Sequence, residues 1–221
     1  MSPVKHILHE DYLVLIPESR CRLLGSAVLN GGISEACSFL NLRVDKAAPP
    51  PWLPPQETLS IKANQLDLPQ PTTAMMTAAS MRSLGYSQQE RQNLVVQCWV
   101  TAGLSNTRRI GDPADEKPRA GTINIWLYVN QRLMDAALAE ALIMLTEGKV
   151  TAIRDADITS PISGLPASGT GTDSHIVFCP VEGEAQEYCG KHTLLGELIG
   201  LAVLSACRDS LDKCLSKIEE R

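Results

Sequence analysis

Two clusters in the last third of the chain hold residue types that can do chemistry. The first is the run Gly169-Thr170-Gly171-Thr172-Asp173, followed by Ser174 and His175 and an apolar stretch over 176–179. Glycines, hydroxyls and one carboxylate in a turn at the entrance of a strand display backbone N–H groups and Asp173 there, and such a turn can hold an anion or an oxyanion. The second cluster is Lys191-His192-Thr193, with Glu197 four residues beyond Thr193. It begins a long helix, where unpaired N–H groups and the helix dipole favour negative charge. A flexible loop and an ordinary helix cap would account for the same residues.

An oxyanion held at such a turn needs proton transfer beside it, so a side chain must take a proton from the attacking nucleophile and later give one to the departing group. His192 is the expected acid-base residue, because histidine titrates near ~6.5 and this one sits at a helix start. Asp173 is expected to orient its imidazole, and Glu197 to bind amides or a hydroxyl of the substrate. His175 is the alternative, since strand alternation can turn it either way. Water or a hydroxyl is the nucleophile: Thr122, Thr170, Thr172 and Ser174 are available, and each is by default a backbone-bonding turn hydroxyl. Thr172 completes the expected catalytic set.

These groups need rigid elements to hold them. The clearest strand runs over 121–130, with Ile123, Ile125, Leu127 and Val129 on one face and Thr122, Asn124, Trp126 and Tyr128 on the other. The second face begins polar and becomes aromatic, which suits either a pocket for a flat ligand or a second packed layer. Met134, Ala137, Leu138, Ala141, Leu142 and Leu145 recur at helical spacing, with Asp135 expected to cap the helix and Gly148 to end it. A strand is expected over 150–153, then the glycine-rich turn, a strand and the last helix. Gly196 and Gly200, one turn apart, lower that helix's propensity by roughly 2 kcal/mol relative to alanine and imply a close neighbour, a strand backbone by preference. The pattern is that of an α/β or α+β domain with a mixed sheet and packed helices.

Upstream, 12–16 reads as a strand closed by Pro17. Asn30-Gly31-Gly32 reads as a hairpin turn or a close approach to a ligand, with the hairpin preferred. A strand is expected over 41–44 and an extended proline-rich surface segment over 47–55, which should enter neither a sheet interior nor a helix because proline lacks the donor. The alanine- and methionine-rich stretch 72–84 reads as a short helix or turn ending at Gly85. A buried strand over 94–100 leads out to Asn106, Arg108 and Arg109, where α/β folds place binding groups and an arginine can meet a carboxylate or phosphate. Residues 112–120, charged and holding two prolines, read as an exposed, protease-sensitive loop.

Composition bounds the partners. A chain of 221 residues with net charge −5 and dispersed basic residues is expected to form one domain over 1–221 and offers no concentrated positive face for nucleic acid. No apolar run approaches the ~20 residues of a membrane span, and Glu10, Asp11 and Glu18 interrupt what a signal peptide would keep apolar. A cytoplasmic protein is expected, with room for a homo-oligomer. Seven scattered cysteines and four histidines lack the spacing of a metal site, and His6, His9 and Glu10 lie in a terminal segment. No protein-bound metal or other cofactor is expected.

The combination of Gly121-Thr122-Ile123-Asn124-Ile125, the 169–173 turn and 191–200, in this order, resembles the adenosylcobinamide amidohydrolases of corrinoid salvage. Residues 29–32, 76–79 and 101–106 extend the resemblance over most of the chain, while Cys189 and Lys191 depart from the family pattern. The resemblance implies hydrolysis of the amide joining the corrin side chain to aminopropanol in adenosylcobinamide, giving adenosylcobyric acid, with cobalt carried by the substrate. A non-catalytic corrinoid carrier is the alternative. A second similarity, of 121–179 to ornithine acetyltransferases and related self-processing aminopeptidases, implies a four-layer αββα sandwich. The substrate contacts expected are Asn30, Gly31, Gly32, Asn106, Thr122, Asn124, Gly169, Thr170, Gly171 and Thr193.

Overall fold

The strand Ile123–Val129 is buried along its whole length and lies inside the larger of two sheets, which a computed structural model of the chain shows packed face to face. The structure describes residues 3–45, 48–116 and 119–219; Ala47 of the proline-rich segment and Lys117 and Pro118 of the 112–120 loop lie outside them.

In chain order the elements are β1 (Val4–Leu8), β2 (Tyr12–Pro17), β3 (Cys21–Gly25), β4 (Gly32–Ala36), β5 (Ser38–Arg43), α1 (Pro55–Gln65) and β6 (Thr72–Thr77). A 3₁₀ turn (Met81–Ser83) leads to β7 (Leu84–Arg91), β8 (Leu94–Ala102), β9 (Thr107–Arg108), β10 (Ile123–Val129) and β11 (Arg132–Leu133). The chain continues through α2 (Asp135–Asp155), β12 (Gly169–Thr170), β13 (Ser174–Pro180), β14 (Ala185–Gln186) and α3 (Leu194–Glu219). The larger sheet has the order β4-β3-β13-β10-β8-β7 and the smaller β1-β2-β5-β6. Within them β10–β13 and β5–β6 are parallel and every other neighbouring pair is antiparallel.

Side-chain alternation stacks these sheets into layers. Ile123, Ile125, Leu127 and Val129 of β10 join Val177 and Cys179 of β13 in a core closed by α2 and α3. Trp126, Tyr128, Ile176 and Phe178 point the other way and meet Phe39, Leu15 and Met75 of the smaller sheet. A third core joins Leu40, Val14 and Ala74 to Leu59 and Ala63 of α1. The order of layers is α1, four-stranded sheet, six-stranded sheet, then α2 with α3: the four-layer αββα sandwich. The aromatic face of β10 therefore lines no pocket. Trp126 is 1% and Tyr128 5% exposed, in contact with Phe39 and Phe178, because a second sheet covers them.

Three local expectations are corrected. Residues 72–77 form β6, parallel to β5, because burial on both faces beside β5 and against α1 outweighs the helix propensity of alanine and methionine. The segment 150–153 is the last part of α2, which runs straight through Gly148. A Cβ on Gly148 would lie 2.8 Å from Val203 Cγ1, so this glycine lets α3 approach α2 and does not end the helix. Asp135 makes no capping bond; it stands in the first turn and pairs with Arg22. The α1 helix is an addition. It begins with Pro55 at its first position, where the missing N–H is harmless, so the proline-rich segment leads into a helix after all. The 30–32 turn does join a hairpin, with Gly25 opposite Gly32 and Asn30 and Gly32 at φ 54° and 75°.

Candidate active site

Asp173 organises the edge of the large sheet at which β10 and β13 begin. Its carboxylate accepts hydrogen bonds from Ile123 N at 3.0 Å, Thr170 N at 3.1 Å, the Thr170 hydroxyl, and Lys149 Nζ at 2.6 Å. The side chains of Lys149 and Asp173 are 8% and 9% exposed, so the ion pair is buried and well supplied with donors. Four donors fill the carboxylate's acceptor directions. Lys149 offers two further N–H groups and lines a cleft of about 750 Å³ together with Asn106, residues 108–116 and Arg119.

Glycine is required where this turn is tightest. A Cβ on Gly169 would fall 2.1 Å from Asp173 Oδ2, and one on Gly171 would fall 2.6 Å from Asn106 Nδ2. Gly121 combines φ 127° with an equally close approach to the Asn106 backbone. The turn is closed on itself, however. Thr170 N serves Asp173, Gly171 N donates to Asn106 O and Ser168 N to Arg108 O. The donors that face the cleft are therefore side chains. Asn106 Nδ2 makes no hydrogen bond among the described residues, while its Oδ1 accepts from Arg108 Nε at 3.4 Å. Among the described residues the guanidinium of Arg109 is bonded to Pro166 O alone, whereas Arg108 and Arg119 share Asp115.

The hydroxyls in this region divide into two kinds. Thr122 donates to Thr172 O at 2.6 Å, Thr172 to Gly121 O at 2.9 Å, and Ser174 to Ser26 O at 3.1 Å, all backbone carbonyls. Thr170 donates to the Asp173 carboxylate. Behind the turn, Asn124 is fully buried between the sheets, bonded to Asn41 Oδ1 and Met76 O at 2.8 Å each, and Asn41 continues to Thr101. Asn30 is likewise engaged, with Glu35 O and Thr73 Oγ1, so both asparagines hold backbone in place.

His175 faces the helices two residues after Asp173. Its Nε2 is buried with no hydrogen-bond partner among the described residues, and its basicity is pushed down to about 4 by burial and by the Lys149 ammonium, against the opposing influence of Asp173. It is neutral at pH 7.

His192, Thr193 and Glu197 stand elsewhere. Thr193 caps α3, accepting from Gly196 N at 3.0 Å and donating to Gly190 O, and Glu197 pairs with Arg91 at 3.0 Å. His192 is exposed and makes no hydrogen bond among the described residues. A Cβ on Gly196 would strike the carbonyls of Cys189 and Gly190, so a loop and not a strand explains that glycine, and nothing lies within 4 Å at Gly200. This group occupies the edge at which β13 ends. Seven residues of β13 at about 3.3 Å each put roughly 20 Å between the two edges, and the structure does not bring Asp173 to His192.

Arg109, named above as a possible carboxylate or phosphate contact, lines the cleft, and Lys149, which was not in the expected set, completes the site. Lys149 had a legible signal: it lies four residues after Leu145 and three before Ala152, on the apolar stripe of α2, where a lysine needs a buried partner. The premature helix end expected at Gly148 hid it. Among the described residues no group of three or more His, Cys, Asp or Glu side chains is placed to hold a metal ion, and no helix is long and apolar enough to cross a membrane.

Apart from 191–200, the segments that carried the family resemblance meet at this one edge. Gly103 packs on Ala79, Asn124 holds Met76, Leu29 bridges to Ala74, and Asn106 contacts Gly121 and Gly171. The sequence profile of the adenosylcobinamide amidohydrolases matches residues 2–218. The chain belongs to that family. It is 28% identical over 196 residues to the adenosylcobinamide amidohydrolase of Methanosarcina mazei, covering 85% of this chain and 88% of that protein. An uncharacterised protein of Methanocaldococcus jannaschii is 33% identical over 159 residues, 63% of this chain and 62% of its own length. The adenosylcobinamide amidohydrolase of Halobacterium salinarum is 32% identical over 120 residues, 51% of this chain. The chain thus spans about three fifths of the M. jannaschii relative and 48% of the Halobacterium one. Among solved structures, the PH0078 protein of Pyrococcus horikoshii superposes with a TM-score of 0.46 at 12% identity over 95% of this chain and 79% of that one, a likeness too loose to carry an argument.

Proposed function

We propose that this family member hydrolyses the amide between the corrin side chain and aminopropanol of adenosylcobinamide, giving adenosylcobyric acid, in the cleft beside Asp173. The observation that supports this reading is the buried Lys149–Asp173 pair at the wall of a cleft of about 750 Å³, at the edge where most of the family-like segments meet. The cleft is open on one side, so the amide-bearing arm enters while the macrocycle rests across the mouth. The substrate brings its own cobalt.

Attack on the amide carbonyl puts negative charge on its oxygen. Lys149 and Asn106 Nδ2 are the donors free to meet that charge, and Asp173 fixes the ammonium. In a site shielded from water, one such donor is worth about 10²- to 10³-fold in turnover. Asn106, Gly169, Thr170 and Gly171 shape the wall against which the amide lies, while Asn30, Thr122 and Asn124 hold the backbone behind it.

The test is mass spectrometry after incubation with adenosylcobinamide. Release of aminopropanol together with adenosylcobyric acid is the expected result. Binding of the corrinoid without turnover would favour the carrier instead.

A further inference from the structure

The geometry points to Thr170 as the nucleophile of this site, forming a transient ester with the corrinoid acyl group. The inference rests on the hydrolytic reading above and extends it from direct attack by water to a two-step route.

Of the four hydroxyls weighed as nucleophiles, those of Thr122, Thr172 and Ser174 donate to backbone carbonyls, which hold their protons and offer them no acceptor of a basic kind. Thr170 Oγ1 alone donates to a carboxylate, that of Asp173. It also lines the cleft, half-buried, on the two-residue strand β12, whose backbone is held by pairing with β9 and by the bond from Thr170 N to Asp173. A nucleophilic hydroxyl needs this combination: an adjacent proton acceptor, a fixed position and an open approach for the carbonyl. Asp173 is held in turn by Lys149 and by Ile123 N, as the third member of such an arrangement should be.

The step balances without any added reagent. Thr170 Oγ bonds to the carbonyl carbon while its proton passes along the existing hydrogen bond to Asp173. The oxyanion faces Lys149 and Asn106 Nδ2. The C–N bond breaks as Asp173 gives that proton to the nitrogen, and aminopropanol leaves as the neutral amine. Water then adds to the ester, one of its protons returns to Thr170 Oγ, and the corrinoid departs as the carboxylic acid. An ester hydrolyses more readily than the parent amide, which is what the detour achieves.

A turn that merely uses Thr170 to bond Asp173 would lose stability without the hydroxyl and keep its chemistry. The two roles are separated by turnover, melting temperature and corrinoid binding measured on Thr170→Val, which has nearly the same shape, and on Thr170→Ser. A nucleophile predicts a loss of turnover of about 10³-fold or more in Thr170→Val, with binding retained, and turnover within about tenfold of wild type in Thr170→Ser. Equal turnover by Thr170→Val overturns the proposal. Should the Val variant melt before assay, wild-type enzyme with hydroxylamine decides: capture of the acyl group as the corrinoid hydroxamate is expected, and acid alone overturns it. Wild-type chain that releases no aminopropanol removes the hydrolytic reading and this step with it. Release by wild type and by Thr170→Val alike removes Thr170 only.

Discussion

His175 shows how a residue's chemistry is set by its neighbours and not by its type. The sequence made it the second choice of acid-base group, and the structure gives it a buried Nε2 with no hydrogen-bond partner among the described residues, beside Lys149 of α2 and Asp173 just ahead of its own strand. Burial and the ammonium push its basicity down to about 4, below the ordinary histidine value near ~6.5. The folded chain therefore binds fewer protons here than the unfolded chain at pH values between the two. Stability must fall as pH is lowered through that window, and the contribution is fully in place above it. At about 1.4 kcal/mol per pH unit the loss is of order 3 kcal/mol by pH 4. Denaturant melts at pH 7, 5.5 and 4 on wild type and His175→Gln check this: the variant should lose less stability between pH 7 and 4. Equal slopes would mean that His175 is not held neutral. None of this was legible in the sequence, where alternation alone could not say which layer His175 faces or that a lysine from another element approaches it.

Strands with strict alternation were readable as elements, and so was the apolar stripe of the first half of α2. Punctuation by glycine was less so, because a glycine that ends a helix and a glycine that admits a neighbour look alike in one dimension. Gly148 and Gly200 make the contrast testable. Alanine gains about 1 kcal/mol of helix propensity at either position. At Gly148 the new methyl meets Val203 Cγ1 at 2.8 Å, and the strain of 1–3 kcal/mol typical of overpacking exceeds that gain. At Gly200 nothing lies within 4 Å. Thermal melts should show Gly148→Ala destabilised and Gly200→Ala stabilised. Two shifts of the same sign would contradict the packing of α3 on α2 described above. The β6 strand was missed for a related reason: its alanines and methionines say helix locally, and only β5 beside it says otherwise.

At the scale of the molecule the sandwich separates what the sequence placed side by side. Residues 173 and 192 stand 19 positions apart, yet β13 carries the chain from one edge of the large sheet to the other between them. Sequence proximity suggested one site; the topology makes two edges, of which one holds the cleft, the buried ion pair and nearly all the family-like segments. The glycine-rich turn and Asp173 were visible from composition. Lys149 showed only as a lysine on an apolar helix stripe, and its partner comes from a segment joined to it only in space. The most direct test of the account is the rate of aminopropanol release at saturating adenosylcobinamide for Lys149→Met and His192→Ala, each compared with wild type after its fold is confirmed by melting. Lys149→Met should lose about 10²- to 10³-fold in turnover and His192→Ala should stay within a few-fold. Near-normal turnover in Lys149→Met together with a collapse in His192→Ala would contradict the account and move the chemistry to the other edge of the sheet.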